Sequence, residues 1–156
     1  MRKSVLFTVL TIFTLTSCED DLLRDDGNRD LLTGKWNMIK GEKYQGRVLI
    51  DSQNMSSEGC TYNYYKFLTD GTKNEVYHNF NEDCAVYNYD GTWSYSIKNK
   101  QITLIDNEDG YLFVAEIVSI NETDLKVKVI SDGGDNPNES GLEVYYFLEK
   151  AIKNGI

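Results

Sequence analysis

From residue 31 onward the chain alternates apolar and polar positions with a period of two. Trp93, Tyr95 and Ile97 interleave with Thr92, Ser94 and Ser96, and Leu125, Val127 and Val129 interleave with Asp124, Lys126 and Lys128. Successive strand residues point to opposite faces, so this pattern predicts strands with one face buried and one wet. Val144, Tyr146 and Leu148 repeat it less cleanly, because Tyr145 and Phe147 stand where polar residues are expected. Residues 111–120 are apolar at both parities except Glu116 and Ser119, which predicts a strand covered on both faces.

Turn chemistry divides these runs. Asp70-Gly71 and Asp90-Gly91 are hairpin signals, since a two-residue type I′ turn needs positive φ at both central positions. Asn99-Lys100 and Asn121-Glu122 mark two further turns, and 106–110 and 132–141 read as longer polar connections, the second holding Gly133, Gly134 and the only proline, Pro137. The resulting strands are about 34–41, 46–50, 62–69, 72–80, 85–89 (joined to or separate from 92–98), 101–106, 111–120, 123–131 and 142–150. Helical spacing is confined to a turn near 30–32 and to the C-terminus. Short links between neighbours favour an antiparallel meander. The expected fold is therefore all-β: an up-and-down barrel of about eight strands, which leaves no free edge, with a β-sandwich as the alternative.

The N-terminus has a different pattern. Arg2 and Lys3 precede an apolar stretch over 5–15, too short to span a membrane as a helix but suited to a signal peptide. Leu15-Thr16-Ser17-Cys18 resembles a bacterial lipobox, in which the cysteine thiol is acylated and becomes the new N-terminus. Glu19, Asp20 and Asp21 follow, and resemble the signal that sends Bacteroidota lipoproteins to the exterior face of the outer membrane. The expected organisation is a signal peptide at 1–17, an acylated Cys18 with an acidic tether over 18–30, one domain over 31–150 and a tail at 151–156. Acyl chains would supply the membrane affinity, so contact with the membrane is expected through the anchor only.

Removing 1–17 takes away two positive charges and no negative ones, so the net charge of −9 becomes −11. Phosphate-backbone partners are bound by Lys and Arg, and nucleic-acid binding is accordingly not expected. Acylation of Cys18 leaves Cys60 and Cys84, an even number for an oxidising compartment. No CxxC is present and no Lys, Arg or His lies next to either thiol, which favours a structural disulfide over a redox site.

Leu31-Leu32-Thr33-Gly34-Lys35-Trp36 opens the first strand with a Gly-x-Trp step. It is followed in order by Cys60, by Phe67-Leu68-Thr69-Asp70-Gly71-Thr72, by Cys84, by Gly91-Thr92-Trp93 and by Ile102–Leu104. Together these resemble the lipocalin-like domain of Bacteroidota secreted and lipid-anchored proteins, within the lipocalin superfamily. The resemblance covers about 31–150 and implies that Gly34 and Trp36 are structural, with Trp36 packed across a closed barrel end. It implies binding of small apolar molecules by analogy alone.

Candidate chemistry is sparse. His78 is the only histidine and has no evident nucleophile beside it, so it is read as a strand residue on a sheet surface. The acidic runs at 106–110 and 132–139 offer oxygen ligands, but neither has EF-hand spacing, and both are read as solvated loops. No catalytic residue, metal site or cofactor is expected. The 11 tyrosines are the compositional oddity, and six of them fall between 62 and 89. Rings with a polar tip suit barrel walls and pocket mouths. Tyr62, Tyr64, Tyr65, Phe67, Trp93 and Tyr95 are the candidate ligand-binding residues. The expected function is non-enzymatic: a lipid-anchored protein on the outer membrane that binds a small apolar or aromatic ligand. The alternative is an accessory interaction module with a protein partner on the cell surface.

Overall fold

The computed structural model describes residues 27–55, 60–138 and 141–151. After a single helical turn, α1 (Asn28–Leu32), come nine strands: β1 (Gly34–Gln45), β2 (Val48–Asn54), β3 (Tyr64–Phe67), β4 (Thr72–Asn79), β5 (Ala85–Ser96), β6 (Gln101–Asp106), β7 (Leu112–Ile120), β8 (Asp124–Asp132) and β9 (Leu142–Lys150). All pairings are antiparallel, and β9 returns to β1 over Trp36↔Lys150 to Gln45↔Leu142. The ring β1-β3-β4-β5-β6-β7-β8-β9 is thus a closed barrel of eight strands, with β2 as an additional ninth. The barrel, rather than a sandwich, is the answer to the sequence pattern.

Strand β1 carries β9 along one side. Its other side is shared, by β3 against Gly34–Asn37 and by β2 against Lys40–Gln45. Strands β2 and β3 therefore occupy one position in the wall, β2 ending at Asn54 and β3 beginning at Tyr64, and β2 pairs only with β1 among the described residues.

One end of the barrel is sealed by α1. Leu32 and Trp36 are fully buried there, and Trp36 Nε1 donates to the Leu32 carbonyl at 2.7 Å. Phe67 and Trp93 complete the plug, with ring centres 5.2 Å apart, and the Arg29 guanidinium lies over the Trp93 indole. Gly34 has φ +127, and a Cβ there would stand 3.0 Å from the Lys150 side chain, so the Gly-x-Trp step owes its glycine to both backbone and space. The core continues along the inner face through Ile102, Leu104, Phe113, Ala115, Ile117, Leu125, Val127 and Val129.

Three expectations are corrected. Asp90-Gly91 is not a hairpin, because β5 runs straight through it, pairing Gly91 with Asp106 and Lys73. A Cβ on Gly91 would lie 2.1 Å from the Ile105 carbonyl oxygen, so this glycine serves close strand approach rather than a turn. Strand β7 is covered on one face only: Phe113, Ala115 and Ile117 are buried, whereas Leu112 and Val118 are exposed. His78 is buried rather than on a sheet surface, because Thr61 and Asn63 fold over it. The other turns stand: Gly71 takes φ +86 between β3 and β4, Lys100 takes φ 52, and the Asn121 side chain accepts from the Thr123 and Asp124 amides.

The disulfide Cys60–Cys84 is formed, with Cα atoms 5.6 Å apart. It ties the connection before β3 to the β4–β5 turn, at the end opposite α1. Cys18 lies outside the described residues.

Candidate ligand site

The end of the barrel opposite α1 opens into a cavity of about 230 Å³. Its apolar part comes from Met38, Leu104 and Phe113, and the rings of Tyr65 and Tyr146 continue the wall upward. Met55, Tyr77 and Tyr111 stand nearer the rim. At roughly 30 Å³ per water, the space holds about eight waters, or one ring with a short chain.

Strand β4 gives this cavity its chemistry. Along most strands the inner row is apolar, but on β4 it is Lys73, Glu75 and Tyr77 that line the cavity, while Val76 and His78 face the other way. The Lys73 side chain is 1% exposed. A buried ammonium needs partners, and it has two carboxylates: Asp106 at the end of β6, and Glu75 at 3.3 Å on its own strand. Burial pushes the Glu75 carboxyl above its ordinary range, against the pull of Lys73 and the Tyr65 hydroxyl. Burial also raises the Tyr65 phenol well above its usual value, and raises that of Tyr146. At the rim the Tyr111 hydroxyl donates to Asp132, whose carboxyl burial holds up, with Asp135 adding to the effect.

Of the six candidate residues, only Tyr65 lines the cavity. Phe67 and Trp93 belong to the sealed end, and Tyr95 packs against the same core. Tyr64 faces outward under the Lys35 ammonium, 3.6 Å from its ring centre, and Tyr62 is exposed on the connection before β3. The inner parity of β3 is Tyr65 and Phe67, both buried. The residues missed are Lys73, Glu75, Asp106, Asp132, Tyr77, Tyr111 and Tyr146. Both acidic runs read as solvated loops send their first carboxylate into the cavity, Asp106 and Asp132, because each is the last residue of a strand.

Among the described residues no cluster of three or more His, Cys, Asp or Glu is arranged to hold a metal ion. The His78 ring faces away from the cavity, with Nε2 2.8 Å from Thr61 Oγ1 and Nδ1 3.3 Å from Asn63 Oδ1. These contacts brace the connection before β3 against β4.

A second hollow of about 440 Å³ lies on the outer wall near Lys40, Lys126 and Phe147. Tyr145 and Phe147, the residues that broke the alternation of β9, point outward there. Lys126 covers both rings at 4.7 and 4.8 Å, and Lys40 covers Phe147 at 4.3 Å. Lysine stems over rings keep such apolar surface from water.

The chain resembles several solved structures in fold. A lipocalin-like protein from Bacteroides uniformis superposes with a TM-score of 0.50 at 15% identity, over 78% of this chain and 99% of that one. A Bacteroides eggerthii protein gives 0.49 at 13% identity, over 76% of this chain and 98% of its own. A triple mutant of bovine odorant binding protein gives 0.42 at 16% identity, over 80% and 77%. No curated protein matches in sequence. The family described as the lipocalin-like domain matches residues 32–127, from the buried Leu32 of α1 to the inward Val127 of β8. The chain belongs to that lipocalin-like domain family.

Proposed function

We propose that this protein is a lipid-anchored, non-enzymatic binder of one small, largely apolar ligand, held in the open-end cavity and displayed on the exterior face of the outer membrane. The observation that carries the binding half is the cavity itself: about 230 Å³, walled by aromatic rings and closed below by the Trp36 plug. A concave, mostly apolar site with a few convergent polar groups is the ordinary form of a small-molecule site. The anchor half is supported by the pattern of residues 1–21.

The test is mass spectrometry on organic extracts of the protein released from its own host's membranes. One co-purifying small molecule, absent after Tyr146→Trp narrows the cavity, supports the reading. An empty extract, together with no saturable binding of indole, overturns it. The anchor is tested separately by incorporation of a labelled palmitate analogue, expected in the parent chain and lost in Cys18→Ala. Display on the exterior is tested by protease shaving of intact cells.

A second reading, an accessory interaction module, is favoured by β2. Val48, Leu49 and Ile50 are 65%, 47% and 50% exposed on a strand with β1 as its one partner among the described residues. Exposed apolar strand edges are templates for pairing with another chain. This reading expects a stoichiometric protein recovered from native membranes and lost in Ile50→Lys; a clean bait sinks it.

A further inference from the structure

The charges around the cavity do not balance. Among the described residues, Lys73 is the single cation that lines it, against the three carboxylates of Glu75, Asp106 and Asp132. Lys73 is already engaged by Glu75 and Asp106, so it has little left to offer an incoming anion. A ligand carboxylate would be desolvated beside three acids, with no free cation among the described lining residues to meet it. A neutral ligand would bury its apolar body and leave the negative excess uncompensated.

An ammonium fares differently. It would bring the missing positive charge into a covered site where Coulombic attraction is stronger than in water. Five rings line the same space, those of Tyr65, Tyr77, Tyr111, Phe113 and Tyr146, and aromatic faces attract cations within about 6 Å. Elsewhere the fold sets cations over rings repeatedly: Lys35 on Tyr64, Lys40 on Phe147, and Lys150 on Trp36. The cavity rings have no such partner among these pairs. Burial holds both the Glu75 and the Asp132 carboxyls above their ordinary range.

Resting on the cavity reading above, we infer that the ligand is a small protonated amine carried on an apolar or aromatic body, preferred over neutral and carboxylate molecules of the same size. Asp132 at the rim and Glu75 on the wall are the groups that favour the ammonium, and the volume limits the body to about one ring.

The test is a matched series of 2-phenylethylamine, 2-phenylethanol and phenylacetate, titrated calorimetrically into the full chain at neutral pH. The amine is expected to bind at least ~10-fold tighter than the alcohol, with phenylacetate weakest, as a desolvated charge pair requires. Asp132→Asn, a rim substitution that leaves the Lys73 pairs in place, should lower amine affinity several-fold and leave the alcohol unchanged. Glu75→Gln should act in the same direction. Equal binding of all three, or tighter binding of phenylacetate, overturns the amine inference while the cavity reading stands. Absence of binding by all three, with Tyr65 and Tyr146 unperturbed in NMR spectra, overturns both.

Discussion

Lys150 Nζ sits 5.1 Å from the centre of the Trp36 indole and donates to the Leu31 carbonyl at 2.7 Å. Trp36 in turn donates its Nε1 proton to the Leu32 carbonyl. The last residue of β9 thus holds the first helix against the first strand, across 119 positions of sequence. A helix of one turn has almost no stability of its own, so the plug depends on these tertiary contacts. Lys150→Met is expected to cost about 1–3 kcal/mol, the sum of one cation–π contact and one hydrogen bond. Urea denaturation read by tryptophan fluorescence measures it; an unchanged midpoint would show that packing alone seats α1.

Removing the buried ammonium should cost more. Lys73→Met leaves Glu75 and Asp106 facing each other without their shared cation, and breaking a buried pair from one side costs about 3–5 kcal/mol. The deficit should shrink as the pH is lowered, because the Glu75 carboxyl, already held above its ordinary range by burial, takes up a proton. A deficit independent of pH would point to lost packing instead.

Glu75 also predicts a pH dependence in the parent protein. Burial raises its carboxyl above the free value of 4.5, so between that value and the raised one the native state holds more proton than the unfolded state. Its stabilising contribution is complete below about pH 4.5 and is lost as the pH rises through the folded pKa. Asp132 acts in the same direction from its lower starting value. Stability curves between about pH 4 and about pH 7 should therefore be flatter for Glu75→Gln than for the parent. Parallel curves would contradict the assignment.

Gly91 and Gly46 separate two uses of glycine. Gly91→Ala drives a methyl into the Ile105 carbonyl and should cost about 3 kcal/mol or more, with amide exchange accelerated along β5 and β6. Gly46→Ala has open space around it and a φ of +61, so it should cost only the left-handed penalty of about 1–2 kcal/mol. Thermal melts of the two variants check the order, and reversal would refute the close-approach account of Gly91.

Strand placement was legible because period-two alternation survives wherever an inner apolar row faces an outer polar one, as in β6 and β8. The site was not, and β4 shows why. Its inward row is Lys73, Glu75 and Tyr77, and a lysine or glutamate in an alternating run reads as outward unless a partner from a distant strand is known. That partner, Asp106, lies 33 positions away. Parity defeated the tyrosine reading in the same manner: Tyr64 and Tyr65 are adjacent, and only the register against β1 decides which one faces in. Asp90-Gly91 failed for a third reason, since the need for a bare backbone at Ile105 leaves no trace in the local sequence.

The interrupted wall position has a mechanical consequence. Where β3 stands, closure rests on a continuous ladder from β1 to β4; where β2 stands, no ladder reaches β4 among the described residues, and the Cys60–Cys84 crosslink, Asn63 and the Thr61–His78 contact span the gap. One half of this seam is a zipper and the other half is a buckle. Cutting the crosslink relaxes a loop of about 25 residues, worth roughly 3 kcal/mol in the unfolded chain. It also frees the connection that carries Thr61 and Asn63 against His78, so reduction should loosen the wall beside Tyr77 while the plug at Trp36 stays shut.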